Sequence, residues 1–352
     1  MTEREHMPRQ PIQFKTTWLI VSGLVLILLV EIIFSTGAGY LKIPFSDVVR
    51  VILSKITGVK GLALHLDEMT AVVLVDVRLP RILTAALVGG GLALSGAVYQ
   101  GILLNPLADP YTLGVSAGAA FGASLALLMG VSWLGVCSVP LFAFAGAVTT
   151  LMVVIYLTAS SGDMSSNSLI LSGIIVAAIL SAGVSFIKYL ADEQVGLIIF
   201  WLMGSFTAKT WPEVGVVLGA LVLGLMVSLL FSRDLNLLAL GSRTAGSLGV
   251  SPRQISLVLL VTASLVAAVC VAVSGIIGFV GLLVPHMVRF VTGPDNRRLI
   301  PVSVLVGACL LLCADTVTRA ILPQEIPIGV ITALIGGPFF CYIFRKRQMG
   351  RT

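Results

Sequence analysis

Charge is what this chain has least of. Only 11% of its 352 residues are Asp, Glu, Lys or Arg, where a soluble domain carries roughly 25%. With 57% hydrophobic residues, a soluble fold could not cover its own surface, so a soluble enzyme is excluded. The chain also lacks a GxxxxGK[ST] loop, and no Lys even follows a Gly, so it is not itself a P-loop ATPase. Its five cysteines (Cys137, Cys270, Cys309, Cys313 and Cys341) form no CxxC pair. Cys309 and Cys313 share a helix face at i, i+4, but no ligand set accompanies them apart from Asp315. They read as small residues in a helix seam, and no metal site is expected. Ionisable groups inside apolar runs are rare as well. Glu31, Asp315 and Arg319 fall near span ends, whereas proton- or sodium-coupled carriers hold such groups near the midplane. This disfavours the alternative reading, an ion-coupled secondary transporter.

What the chain does have is long apolar runs. Residues 82–108, 110–162, 164–187, 214–232, 254–288, 299–314 and 326–344 hold no charged side chain. A spanning helix needs about 20 such residues. The run 110–162 must therefore break, and Trp133, Gly135 and Pro140 mark the place. The run 254–288 breaks around Ser274, Gly275 and Gly278. Ten spans are predicted, at 16–36, 81–102, 111–130, 140–160, 168–190, 212–231, 254–273, 276–291, 299–318 and 326–344. The segment 194–208 is too short to cross and is read as a surface or dipping helix. The polar, basic start precedes a retained span and is not a cleaved leader.

Orientation follows from Lys and Arg. With both termini inside, the inner segments hold thirteen bases against six acids, and the outer ones nine against ten. The net charge of +6 is thus accounted for by topology, and no nucleic-acid partner is implied. The expected organisation is a cytoplasmic tail over 1–15, a ten-helix domain over 16–346 and a second cytoplasmic tail over 347–352.

Glycines at 114, 118 and 122, and the cluster Gly89, Gly90, Gly91, Ser95 and Gly96, predict close helix packing. Gly114 to Gly118 also matches GxSxG. A hydrolase would need a strand–turn–helix elbow there, and an intramembrane protease a facing His, for which only His286 qualifies. Ser116 on a packed glycine face is the preferred reading. A shift of five spans would relate spans two to five to spans seven to ten as inverted repeats, with Ser95-Gly96 and Ser274-Gly275 as faint support.

Several stretches are distinctive. Arg78-Leu79-Pro80-Arg81 leads into a Gly-rich span and then Asn105-Pro106-Leu107-Ala108-Asp109-Pro110. Ala239-Leu240-Gly241 is followed by Ala245 and by Leu248-Gly249-Val250. Ser274-Gly275-Ile276-Ile277-Gly278-Phe279 runs on to Pro285-His286 and Asp295-Asn296-Arg297-Arg298. Ile326-Pro327-Ile328-Gly329 and Gly336-Gly337-Pro338 close the chain. In this order and spacing they resemble the FecCD family of importer permeases, which serves ferric siderophores, haem and cobalamin.

The resemblance implies an all-α, polytopic membrane protein with ten transmembrane helices and the type II ABC importer permease architecture. It implies a second permease copy, most simply a homodimer embedded in membrane lipid. Two separate ABC ATPase subunits would dock inside, carrying the ATP and Mg, so this chain would bind no cofactor and perform no catalysis. A periplasmic or lipid-anchored substrate-binding protein would deliver cargo outside. Arg78, Arg81 and Arg319 match the family's receptor positions for that protein's acidic residues, and a guanidinium fork suits carboxylates. Ala239, Leu240, Gly241, Ala245, Leu248, Gly249 and Val250 match the ATPase-coupling segment, expected to hold short helices. Ser165, Ser166, Asn167 and Ser168 match the cytoplasmic gate, the bland alternative being a turn capped by Ser168. Trp201 to Phe206 would flank the outer mouth.

Overall fold

The computed structural model describes residues 14–39, 43–57, 68–160, 165–320 and 325–349, and every regular element among them is helical. Of the expected tails, residues 1–13 and 350–352 lie outside the described residues, as do 161–164, just ahead of the expected gate residues.

In chain order, α1 is Phe14–Gly37, α2 Phe45–Thr57, α3 Glu68–Val72 and α4 Leu79–Ile102. α5 is Val115–Leu128, α6 Ser138–Ser160, α7 Ser166–Leu190, α8 Val195–Leu202 and α9 Trp211–Leu230. α10 is Ser232–Leu238, α11 Ser242–Ser247, α12 Pro252–Ser274, α13 Val280–Thr292, α14 Asn296–Ala320 and α15 Ile328–Met349. Six helices (α1, α6, α7, α9, α12 and α14) are long and apolar enough to cross a membrane; α5, α13 and the first part of α15 are shorter but apolar. With α4, buried at the centre of the bundle, the count is consistent with the ten expected spans.

α4 is buried along nearly its whole length. It can be, because a methyl at Gly89 would collide with the Gly307 carbonyl of α14, and one at Gly96 with the Gly281 carbonyl of α13. Backbone meets backbone at these points, the packing that lipid favours. On the α12 side, the Ser95 hydroxyl donates to Ala263 O (2.8 Å), and Tyr99 and Ser264 share a hydroxyl–hydroxyl bond. Before α4, a π-helical turn over Val73–Arg78 adds a residue to the repeat and leaves Leu74, Val75 and Arg78 buried. Leu74 and Val75 pack with Ile43, Val48 and Val51, holding the amphipathic α2.

Two spans start four residues later than expected, for the same reason. The span expected from 111 begins only at Val115, because Pro110–Leu113 forms a 3-10 turn closed by Gly114 in the left-handed region (φ 78°). The span expected from 276 begins at Val280, after Gly275 (φ 74°) and Phe279 (φ 69°). α5 and α13, at 14 and 13 residues, are the third and eighth spans, one of the four pairs that the five-span shift would relate. The unwound stretches before them touch: the Tyr111 hydroxyl donates to Ile277 O at 2.6 Å. The short α8 ends on the same junction. Ser205 N–H donates to Ser274 O (2.8 Å), and Gly329 N–H, at the start of α15, donates to Met203 O (3.0 Å). The α8 end and the loop after it therefore pack against the broken helices.

Candidate functional site

The three arginines singled out in the sequence converge where the end of α1, the start of α4 and the end of α14 meet. Arg78 is buried and donates to Thr36 O (2.9 Å) and Gly37 O (3.4 Å). Arg319 donates to Ala38 O (2.6 Å), Ser35 O (2.8 Å) and Ser35 Oγ (2.9 Å). Both guanidinia thus satisfy the open carbonyls at the C-terminus of α1, where the helix dipole also favours positive charge. Arg81 grips Asp315 through Nε (3.2 Å) and Nη2 (2.9 Å), and Glu325 through Nη1 (2.9 Å). Arg319 Nε sits 3.8 Å from the far oxygen of Asp315. The Asp315 side chain is only 2% exposed and that of Arg81 13%, so the cluster ties three spans together as well as presenting charge. Burial pushes the Glu325 carboxyl up, but the hydrogen bond and charge of Arg81 outweigh it and hold the group below the usual carboxylate range. A cavity of about 180 Å³ beside Arg81 reaches Ser205 and Thr207 in the α8–α9 loop.

At the other end, the expected short helices are α10 and α11. Ala239 closes α10; Gly241 (φ 97°) and Gly249 (φ 86°) supply the left-handed turns on either side of α11. Ala245 and Val250 are buried and linked, Val250 N–H donating to Ala245 O (3.1 Å). Leu240 and Leu248 instead stand 60% and 56% exposed. The segment has a buried base and two apolar knobs. Its base is bolted to α14 by a group that sequence reading missed. Asn236 Nδ2 donates to Asp295 Oδ1 (2.7 Å), and the Asn296 amide N–H donates to Asn236 Oδ1 (2.9 Å). Asp295 and Asn296 stood in a distinctive stretch, but nothing about Asn236 in sequence marks it as their partner.

The residues expected at the gate lie nearby. Ser165, not Ser168, is the cap of α7: its hydroxyl oxygen accepts the Ser168 N–H at 3.2 Å. Position 165 is the last extended residue, so its side chain alone can reach back over the first turn. Ser166 and Asn167 follow in that turn. Ser165 and Ser166 line a cavity of about 560 Å³ together with Leu238, Ser242 and Arg253. The structure thus brings two of the residues expected at the gate into one space with Leu238 and Ser242, which flank the expected coupling residues Ala239 to Gly241.

The GxSxG stretch forms no elbow. Gly118 and Gly122 press against Gly146 and Phe142 of α6, while Ser116 faces a separate cavity with α7, not the glycine face expected for it. His286 is buried on α13 against Phe290. Cys309 and Cys313 border a groove with Glu31 of α1, and no group of three metal ligands exists among the described residues.

A bundle of apolar helices, two of them broken where they meet, and a polar cavity beside an anchored loop suit a membrane-embedded permease. The model of the FecCD transport family matches residues 26–346, and the chain belongs to that family. It is 44% identical over 283 residues to the cobalamin import system permease of Halobacterium salinarum, covering 80% of this chain and 76% of that one. It is 40% identical to the molybdate import system permease of Haemophilus influenzae, covering 94% and 96%. Among solved structures, a metal-chelate type ABC transporter in an inward-facing conformation superposes with a TM-score of 0.80 at 37% identity, covering 93% of this chain and 99% of that one.

Proposed function

We propose that this chain is the membrane-spanning subunit of an ATP-driven importer for a ferric siderophore, haem or cobalamin-like cargo. Two copies enclose the path, with both termini cytoplasmic. Two ATPase subunits sit beneath α10 and α11, hold ATP and Mg, and power alternating access. A binding protein docks on the outer arginine cluster, where its acidic groups compete with Glu325 for Arg81. Such charge pairs set registration more than affinity.

The observation that carries this reading is the shared inner cavity. Ser165 and Ser166 line the same space as Leu238 and Ser242, so a partner that moves α10 and α11 moves the wall of the mouth. A partner can bias the path only by its differential affinity for the two states, and nucleotide on the ATPase supplies that difference. Reconstitution in liposomes with the ATPase and binding protein should give uptake that needs ATP hydrolysis. Uptake without ATP, or uptake abolished by an uncoupler while ATP is intact, would instead establish an ion-coupled carrier.

A further inference from the structure

Arg81 has two carboxylate partners of unlike standing. Asp315 is almost fully buried and is held through Nε and Nη2, so that pair is fixed. Glu325 is half-exposed and is held through Nη1 alone (2.9 and 3.1 Å). Water screens such a pair and keeps it weak. Glu325 can therefore leave without stranding Arg81, which keeps Asp315.

What leaves with Glu325 is a defined unit. Thr207 Oγ1 donates to its second oxygen (3.1 Å), and Ser205 Oγ donates to Thr207 Oγ1 (2.9 Å). Along the backbone, Ile328 N–H donates to Gly204 O (3.2 Å) and Gly329 N–H to Met203 O (3.0 Å). Residues 203–207 and 325–329 are thus stitched into one strap. Its turn is bracketed by Gly204 (φ 74°) and Ala208 (φ 56°). Glycine adopts the left-handed region freely, whereas alanine is strained there. Ala208 keeps that conformation only while the contacts around it hold. The cavity of about 180 Å³ beside Arg81 lies against the strap and against its buried plug, Phe206, which gives the strap room to shift.

The strap lies on the break that precedes α13. Ser205 N–H donates to Ser274 O (2.8 Å). A Cβ at Gly204 would meet Ile276 O (2.8 Å) and Ile277 Cγ1 (3.2 Å), and one at Gly329 would also meet Ile276 O (2.7 Å). Ile277 is fully buried, and its carbonyl is the one that Tyr111 holds. An unbroken run of contacts therefore leads from Arg81, through Glu325 and Thr207, to the place where the two broken helices meet.

We propose that Glu325 is a latch: its pair with Arg81 holds the strap down on the junction of the broken helices, and a carboxylate presented to Arg81 by a partner releases it. The latch itself needs no partner; only its trigger rests on the importer reading.

The test uses the full chain in lipid nanodiscs, where both faces are open to reagent. The four cysteines other than the buried Cys270 are replaced by serine, and Ile277→Cys is introduced. The same chain without the new thiol sets the background. Glu325→Gln should speed maleimide labelling at 277 on the order of fivefold, the upper limit for a half-exposed ion pair, with little change in the thermal midpoint. Glu213→Gln, which loses the nearby pair with Lys209 instead, should leave the rate as it was. A hexaglutamate peptide, compared with sodium chloride of equal ionic strength, should speed labelling when Glu325 is present and not in Glu325→Gln. The proposal is overturned if Glu325→Gln leaves the thiol at 277 protected, if Glu213→Gln exposes it as much, or if the peptide acts no differently with and without Glu325. Phe206→Cys repeats the test should the first variant misfold. No ATPase, binding protein or cargo is present, so failure here would leave the importer reading to its own uptake assay.

Discussion

Arg81 shows how one side chain here serves two ends. Its guanidinium neutralises Asp315, which is almost fully buried, and reaches on to the half-exposed Glu325. Losing one partner of a buried pair costs more than the pair itself contributes, because the other charge is stranded. Arg81→Ala should therefore lower stability by about 3 kcal/mol, read as a large drop in the thermal midpoint of the purified protein. Glu325→Gln should cost less than about 1 kcal/mol, since that carboxylate is 48% exposed and water screens it. Its effect should depend on pH. A carboxyl held below its unfolded value stabilises the fold above the usual carboxylate range, and that stability is lost as pH falls through the depressed value. Melting curves between pH 3 and 7 should show the wild type losing its advantage over Glu325→Gln only at the acid end of about that range. The positions of these arginines were legible in the sequence. Their bonds to Thr36, Gly37 and Ala38 were not, because a backbone carbonyl acceptor leaves no side-chain signature.

Among the elements, α4, α5 and α13 carry most of the architecture. Charge-free runs and glycine clusters disclosed the number of spans and the break near Gly275. They did not disclose that α5 starts late, because the turn that delays it, Pro110 to Leu113, carries no charge and so falls inside the same charge-free run. Nor did they separate Ser165 from Ser168, since four consecutive polar residues all suit a helix start and only backbone conformation selects one. The close contact of α4 with α13 gives the sharpest test at this scale. A methyl at Gly96 meets the Gly281 carbonyl, and backbone cannot swing aside as a side chain can. Gly96→Ala should cost about 1–3 kcal/mol and reduce the yield of folded protein in membranes. Gly219→Ala, where nothing lies within 4 Å of the new carbon, serves as the control.

Taken as a whole, the molecule places its exposed apolar knobs and its buried charges at opposite ends. Leu240 and Leu248 should matter to partner binding and little to folding. Replacing both with Ser should leave the thermal midpoint within about 0.5 kcal/mol equivalent, yet weaken co-purification of the ATPase and abolish its coupling to uptake. Unchanged co-purification would remove these leucines from the interface.

Between the two ends runs α14, 25 residues without a break, roughly 37 Å at 1.5 Å per residue. At the top it is lashed to α1 and α4 through Asp315 and Arg319; at the bottom its first residue, Asn296, is hooked to Asn236. A helix pinned at both tips behaves as a crowbar, its one proline, Pro301, lying in the second turn. Under the importer proposal, a tilt imposed through α10 would emerge at the far rim as a sideways shift of the arginines.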